Sequence, residues 1–228
     1  NVNFMVDPRW GTNQVANIDW QDAFYRPAAI QNYQLSVRGG NKNVKYAISG
    51  AYFDQEGLAL NTGFNRFNLS AVIDVNISDK WKAGISLRPS YSKSYGAAVD
   101  GKDNEAHKML SMVPVAELSA GLYTNFWKNN RYRWAGSTVS PIGTLENTTN
   151  DTNEFRLLSS LYMSYDIMPG LNFKISGGAT NNYNINTGYI PTFNLLTNIP
   201  GQVSTASRRT VNYNRYLGEA LLNYKKTL

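Results

Sequence analysis

The sequence contains no cysteine, which removes disulfide scaffolds and thiolate metal sites from consideration. It has one histidine, His107, so no Ser-His-Asp or Cys-His arrangement can be assembled within the chain, and no catalytic residues are expected. No run approaches the ~18 apolar residues of a membrane-spanning helix. That excludes a helical membrane protein but leaves crossing by β-strands open, because strands signal far more weakly. Charge is also scarce, at 17% of residues against roughly 25% in an average globular domain. The net charge of +6 is made of Lys and Arg scattered singly; without a basic cluster interleaved with aromatics, no nucleic-acid partner is expected. No glycine-rich phosphate loop leads into a helix, and Gly39-Gly40 reads as a turn. The chain opens at Asn1 with no initiator Met and no apolar leader; the expectation is a stretch of a longer protein, with any signal peptide outside it.

What remains is rich in β-formers, with 15 Tyr, 9 Phe and 5 Trp. Seven segments alternate with period 2. In the first, Tyr33, Leu35 and Val37 oppose Gln34, Ser36 and Arg38. The second sets Val44, Tyr46, Ile48, Gly50 and Tyr52 against Lys45, Ala47, Ser49 and Ala51. The third is the cleanest, with Phe67, Leu69, Ala71, Ile73, Val75 and Ile77 on one face. The fourth has Trp81, Ala83, Ile85, Leu87 and Tyr91, the fifth runs from Phe155 to Ile167, and the sixth from Leu171 to Thr180. The seventh, Thr210 to Tyr224, is poorly phased, because Arg215 and Glu219 share a parity with Leu217 and Leu221. A short helix is expected over Asp103 to Met112, stopping before Pro114.

A half-buried sheet in a soluble sandwich would alternate in the same way. Three further features favour a membrane barrel. Short connections (39–43, 78–80, 168–170) alternate with longer ones (55–63, 92–153, 184–208), so in an up-and-down meander all the long ones collect at one end, as in outer-membrane barrels. The polar face is mostly Ser, Asn, Gly and Ala, which suits a hydrated lumen, and the apolar face of the first six strands carries no charge. A cation at the lipid midplane costs ~2–4 kcal/mol. Aromatic rings sit toward the strand ends, where a headgroup layer would be. The expected fold is therefore all-β: an antiparallel up-and-down meander forming a partial transmembrane β-barrel of about seven strands, with long extracellular loops and one short loop helix. Residues 1–228 would be part of one barrel domain, with 92–152 a long extracellular loop insert. The expected lipid-facing set is Tyr33, Leu35, Val37, Tyr46, Ile48, Phe67, Leu69, Ile73, Val75, Trp81, Ile85 and Leu87.

The order of motifs closely resembles the SusC/RagA family of TonB-dependent outer-membrane transporters. The residues that carry it are Ile18-Asp19-Trp20-Gln21-Asp22, Asn32 to Gly40, Tyr46 to Gly57 and Phe64 to Leu69. Pro169-Gly170-Leu171 and Leu221-Leu222-Asn223-Tyr224 follow later. The first 90 residues match in order, whereas 92–152 and 184–208 match loosely. The resemblance implies a barrel of about 22 strands with a plug in its lumen, of which this chain would hold roughly strands two to eight. It implies bacterial outer-membrane lipid, a SusD-like surface lipoprotein and the TonB complex as partners, the last through a plug region not in this chain. The implied activity is import of large nutrients, such as glycans or oligopeptides, rather than catalysis. A secreted soluble β-sandwich that binds carbohydrate, or a passive porin, is the alternative.

Candidate ligand contacts are loop aromatics. Tyr123, Phe126, Trp127, Tyr132 and Trp134 fall within twelve residues, with Lys128, Arg131 and Arg133 beside them. Such rings stack on sugars or peptide side chains, or else pack the loop upon itself. Tyr183 and Tyr189 are weaker candidates at the rim of a later loop. Asp100, Asp103 and Glu105 match no calcium-loop spacing and read as solvated loop charges, as does His107 on the loop helix. No metal or cofactor is expected.

Overall fold

The computed structural model describes residues 18–99, 101–102, 104–112, 140–192 and 203–225. A short helix α1 (Trp20–Phe24) precedes strands β1 (Ile30–Gly40), β2 (Val44–Glu56), β3 (Gly63–Asn76) and β4 (Trp81–Tyr95). Helices α2 (Glu105–Ser111) and α3 (Pro141–Asn147) lead to β5 (Thr149–Met168), β6 (Leu171–Ile190) and β7 (Thr205–Tyr224). The strands form one seven-stranded sheet in sequential order, antiparallel at every step. The sheet is open, with β1 and β7 as its edges.

Local chemistry sets the three tight turns at one end. Asn41 Oδ1 accepts from the amides of Asn43 and Val44 at 2.8 and 2.9 Å. Ser78 Oγ accepts from Lys80 and Trp81 at 3.3 and 3.2 Å. Both are side-chain mimics of a backbone turn. Between β5 and β6, Gly170 has φ +84°, a left-handed conformation that glycine enters without steric cost. The longer connections lie at the opposite end, as the spacing predicts.

The strands run further toward that end than alternation indicates. Paired backbone continues to Thr149↔Tyr189 between β5 and β6, and to Ile190↔Thr205 between β6 and β7. Much of the expected loop 184–208 is therefore strand. Residues 181–188 and 205–210 are mostly polar on both faces, so they carry no period-2 signal, yet the ladder needs only backbone groups. Among the described residues three short helices stand where one was expected. α1 and α3 are too brief to show a helical period, and their signals are caps. Asp19 Oδ1 accepts from Gln21 and Asp22 N–H, and Ser140 Oγ accepts from Gly143 N–H ahead of Pro141.

The buried apolar cluster among the described residues lies outside the sheet. Trp20, Phe24, Ala59, Met109, Ile142 and Leu145 bring α1, α2, α3 and the β2–β3 connection together as a cap at the loop end. Arg26 N–H to Leu58 O at 2.8 Å and Leu60 N–H to Phe24 O at 3.2 Å tie α1 to that connection. The sheet's apolar face, by contrast, is bare: Leu35 is 75% and Phe67 52% exposed, where a sandwich would bury it against a second sheet.

Glu105 departs from the expectation of a solvated loop charge. It is buried in the cap and paired with Lys108 Nζ at 2.6 Å, while His107 on the same helix is exposed. Burial pushes the Glu105 carboxyl above its ordinary pKa, and the Lys108 ammonium and Thr144 hydroxyl pull it part of the way back. The folded cap thus binds a proton more tightly than the open one. Its contribution to stability is full below the unfolded carboxylate value of ~4.3 and is lost as pH rises through the folded value. Amide exchange of α2 and α3 in the full-length protein, corrected for intrinsic rates, should show protection falling as pH rises above ~4.3. Glu105→Gln should flatten that profile, and a flat wild-type profile would contradict the assignment.

Candidate functional site

Cross-strand register decides which side chains share a face, and it gives the two faces of the sheet distinct chemistry. On the apolar face, Tyr33, Tyr52, Phe67, Tyr91, Phe155 and Tyr183 are partnered in turn across six strands. Toward the turn end, Trp81, Tyr165 and Phe173 form a second row, with the Trp81 and Tyr165 rings 4.5 Å apart. Polar groups resume immediately on the loop side of the upper row. Tyr91 Oη donates to Asn153 Oδ1 at 2.9 Å, and Tyr33 Oη to Gln31 Oε1 at 3.2 Å. Lys93 pairs with Asp151 at 3.1 Å. Between the rows on β4, β5 and β6 this face holds no charged side chain.

All twelve residues of the expected lipid-facing set fall on this face. Tyr33, Leu35, Val37, Tyr46, Ile48, Phe67, Leu69, Trp81, Ile85 and Leu87 are exposed, and Ile73 and Val75 are half-buried by their neighbours. The register also resolves β7. Leu222 pairs with Phe173, Ala220 with Ile175, Gly218 with Gly177 and Tyr216 with Ala179, so the even positions join the apolar face. Arg215 and Glu219 lie on the polar face with Leu217 and Leu221. Tyr183 and Tyr189 are correspondingly reassigned: both lie within β6 on the apolar face, rather than at a loop rim. Tyr123, Phe126, Trp127, Tyr132 and Trp134 lie outside the described residues.

Several charges of the polar face sit in partnered groups. Near the turn end, Lys82 meets Asp166 at 3.8 Å and Asn172 donates to Asp166 at 2.7 Å. Nearer the loop end, Glu154 takes Arg156 at 3.1 Å and Asn182 at 2.7 Å. Between them Tyr162 Oη donates to Asp74 Oδ1 at 2.7 Å, and Lys174 Nζ sits 4.6 Å from the Tyr162 ring centroid. Asp74, Gly84 and Tyr162 are direct partners on β3, β4 and β5, so the Tyr162 ring crosses β4 over the one residue without a side chain. Phe53 and Phe64, with ring centroids 6.1 Å apart and the Arg66 guanidinium 5.9 Å from Phe53, add aromatic surface on this face. These were missed in the sequence, although their opposite parity to Tyr52 and Phe67 is visible there. Any Cβ at position 84 meets the Tyr162 ring. Gly84→Val should therefore lower the urea-unfolding stability of the full-length barrel by ~1–3 kcal/mol, and Tyr162→Phe by only ~0.5–1 kcal/mol.

No protein-family model matches the chain. Over 215 residues, 93% of the chain, it is 26% identical to the TonB-dependent receptor P3 of Formosa agariphila, of which it covers 21%. Over 91 residues, 38% of the chain, it is 33% identical to the TonB-dependent receptor SusC of Bacteroides thetaiotaomicron, of which it covers 9%. Among solved structures, the RagAB peptide importer in its closed-closed state superposes with a TM-score of 0.70 at 17% identity, over 94% of this chain and 24% of that one. The chain thus spans a quarter or less of the proteins it matches. With an open meander whose connections are sorted by length and whose faces differ as described, the chain is similar to a stretch of the barrel of SusC/RagA-like TonB-dependent receptors.

Proposed function

We propose that this chain supplies wall and extracellular rim to an outer-membrane transporter that imports a large nutrient, a glycan or an oligopeptide. The observation that carries the reading is the spacing of the ring rows. Trp81 and Tyr91, Phe155 and Tyr165, and Phe173 and Tyr183 are each ten residues apart. At ~3.4 Å per residue that is ~34 Å along a strand, or ~26 Å along the axis of a barrel whose strands tilt by ~40°. An outer-membrane barrel carries an apolar band ~25 Å tall between its aromatic girdles. The apolar face then meets lipid and the polar face lines the lumen. In this reading residues 1–228 are part of one barrel domain, and the stretch between β4 and β5, within 92–152, is an extracellular insert that contributes Tyr123, Phe126, Trp127, Tyr132 and Trp134 as ligand contacts.

The whole transporter would work with a SusD-like surface lipoprotein that delivers substrate. It would open when TonB pulls on a plug in the lumen, a region outside this chain. The wall has no catalytic role. Two measurements test this. Deleting the gene should abolish growth on one class of oligomeric nutrient while leaving its monomers usable, and normal growth on every oligomer would defeat the proposal. The lipid assignment is tested at β7. Gly218→Arg should cost ~2–4 kcal/mol of folding stability in lipid vesicles, whereas Leu217→Arg, one residue away on the lumen side, should be nearly neutral. Equal costs would place the faces wrongly.

A further inference from the structure

At the loop end, where α2 and α3 meet the upper parts of β5, β6 and β7, lies a cleft of about 390 Å³. Its strand wall presents Asn150, Asn186, Thr205 and Ser207, all on the polar face. Its helix wall presents Glu105, Lys108 and Thr144, while Ala97, Ala98 and Ile190 supply apolar surface. Glu105 stands apart from the rest of the lining. Its side chain is 7% exposed and Oε1 takes the Lys108 ammonium. Oε2 is sealed from solvent and takes no hydrogen bond among the described residues, because the nearby Thr144 hydroxyl, which lowers the carboxyl's pKa, donates to Ser140 O at 3.1 Å. Buried acceptors in native proteins are almost always satisfied, so an orphan calls for a partner. The broad terminal torsion of glutamate lets that oxygen turn toward the cleft.

We propose that this cleft is a subsite for a neutral, hydroxyl-rich ligand, one sugar unit of an oligosaccharide, whose hydroxyl donates to Glu105 Oε2. The proposal rests on the transport reading and names the substrate class for it. Four observations favour that class. Glu105 and Lys108 cancel, so the site asks for no net charge. The Asn, Thr and Ser side chains each donate and accept, as a sugar hydroxyl does, and the alanines and Ile190 suit a C–H face. A peptide held by strand addition needs an open edge, and β6 is paired on both sides beside the cleft, which leaves only the outer edge of β7. Finally, the cleft is at the small end of the ~300–1,000 Å³ range of ligand sites. It continues through Asn186 into a second, lumen-facing cleft of about 600 Å³ lined by Asn182, Asn184, Arg209 and Tyr213, which gives room for the next unit.

The test uses the full-length transporter in its own cell. Wild-type, gene-deleted and variant strains are grown on maltodextrins, xylo-oligosaccharides and β-glucan oligosaccharides, on oligogalacturonates, and on oligopeptides as sole nutrient. Deletion should remove growth on a neutral oligosaccharide. Glu105→Ala should raise the concentration needed for half-maximal growth about tenfold or more at unchanged surface abundance. Ser207→Phe, which fills the cleft from an exposed strand position without entering the cap, should do the same. If Ser207→Phe behaves as wild type, the subsite is overturned even where Glu105→Ala is impaired, because Glu105 then acts only on the cap. Loss of growth on oligogalacturonates or oligopeptides alone overturns the ligand class. A deletion with no nutritional effect defeats the transport reading itself.

Discussion

A strand in contact with lipid can send its backbone hydrogen bonds only to the next strand, and every other property of this sheet follows from how that ladder is drawn. Once Val37 faces Ile48 and Ile48 faces Ala71, a slip of one residue anywhere would carry an entire apolar row to the polar side. Arg38, Asp74, Arg88, Arg156 and Glu219 all occupy the polar face because the register is what it is. The same register lines up rings from Tyr33 to Tyr183, and it leaves Gly84 between Asp74 and Tyr162. The bridge across β4 is possible only because the pairing makes those three residues neighbours.

The legibility of each element in the sequence tracks how strongly burial against lipid selects its residues. β3, with five apolar residues at alternate positions from Phe67 to Val75, is readable in the sequence, as are the tight turns, whose Asn, Ser and Pro-Gly chemistry is local. β7 was not readable alone, because Leu217 and Leu221 stand on the same face as Arg215 and Glu219. Only its pairing with β6 separates the two sets. The upper halves of β5, β6 and β7 were unreadable for a related reason. Above the ring row neither face meets an apolar phase, so nothing imposes a period. Tyr183 was taken for a loop residue because the strand was judged to end where its alternation ended.

The candidate site shows the same division more sharply. The apolar-face set could be assembled from parity alone. The cleft could not, since it combines α2, α3 and three strands, and its most informative atom, Glu105 Oε2, is defined by what lies near it in space. Glu105 looked like one of several loop acids. Its burial depends on Met109, Ile142 and Leu145, residues brought together by two helices too short to announce themselves.

Wall and cap therefore draw their stability from different sources. Among the described residues the wall has no apolar interior of its own: its strands are held by backbone pairing, and its apolar face is bare. The cap is a small conventional core, where removing a buried leucine such as Leu145 would cost ~2–5 kcal/mol. Because α2 and α3 are anchored through that core and not through the ladder, side chains on their free surfaces and along the cleft can change without disturbing strand register. Strand pairing fixes the shape of the wall, and the cleft lies where substitution is cheap.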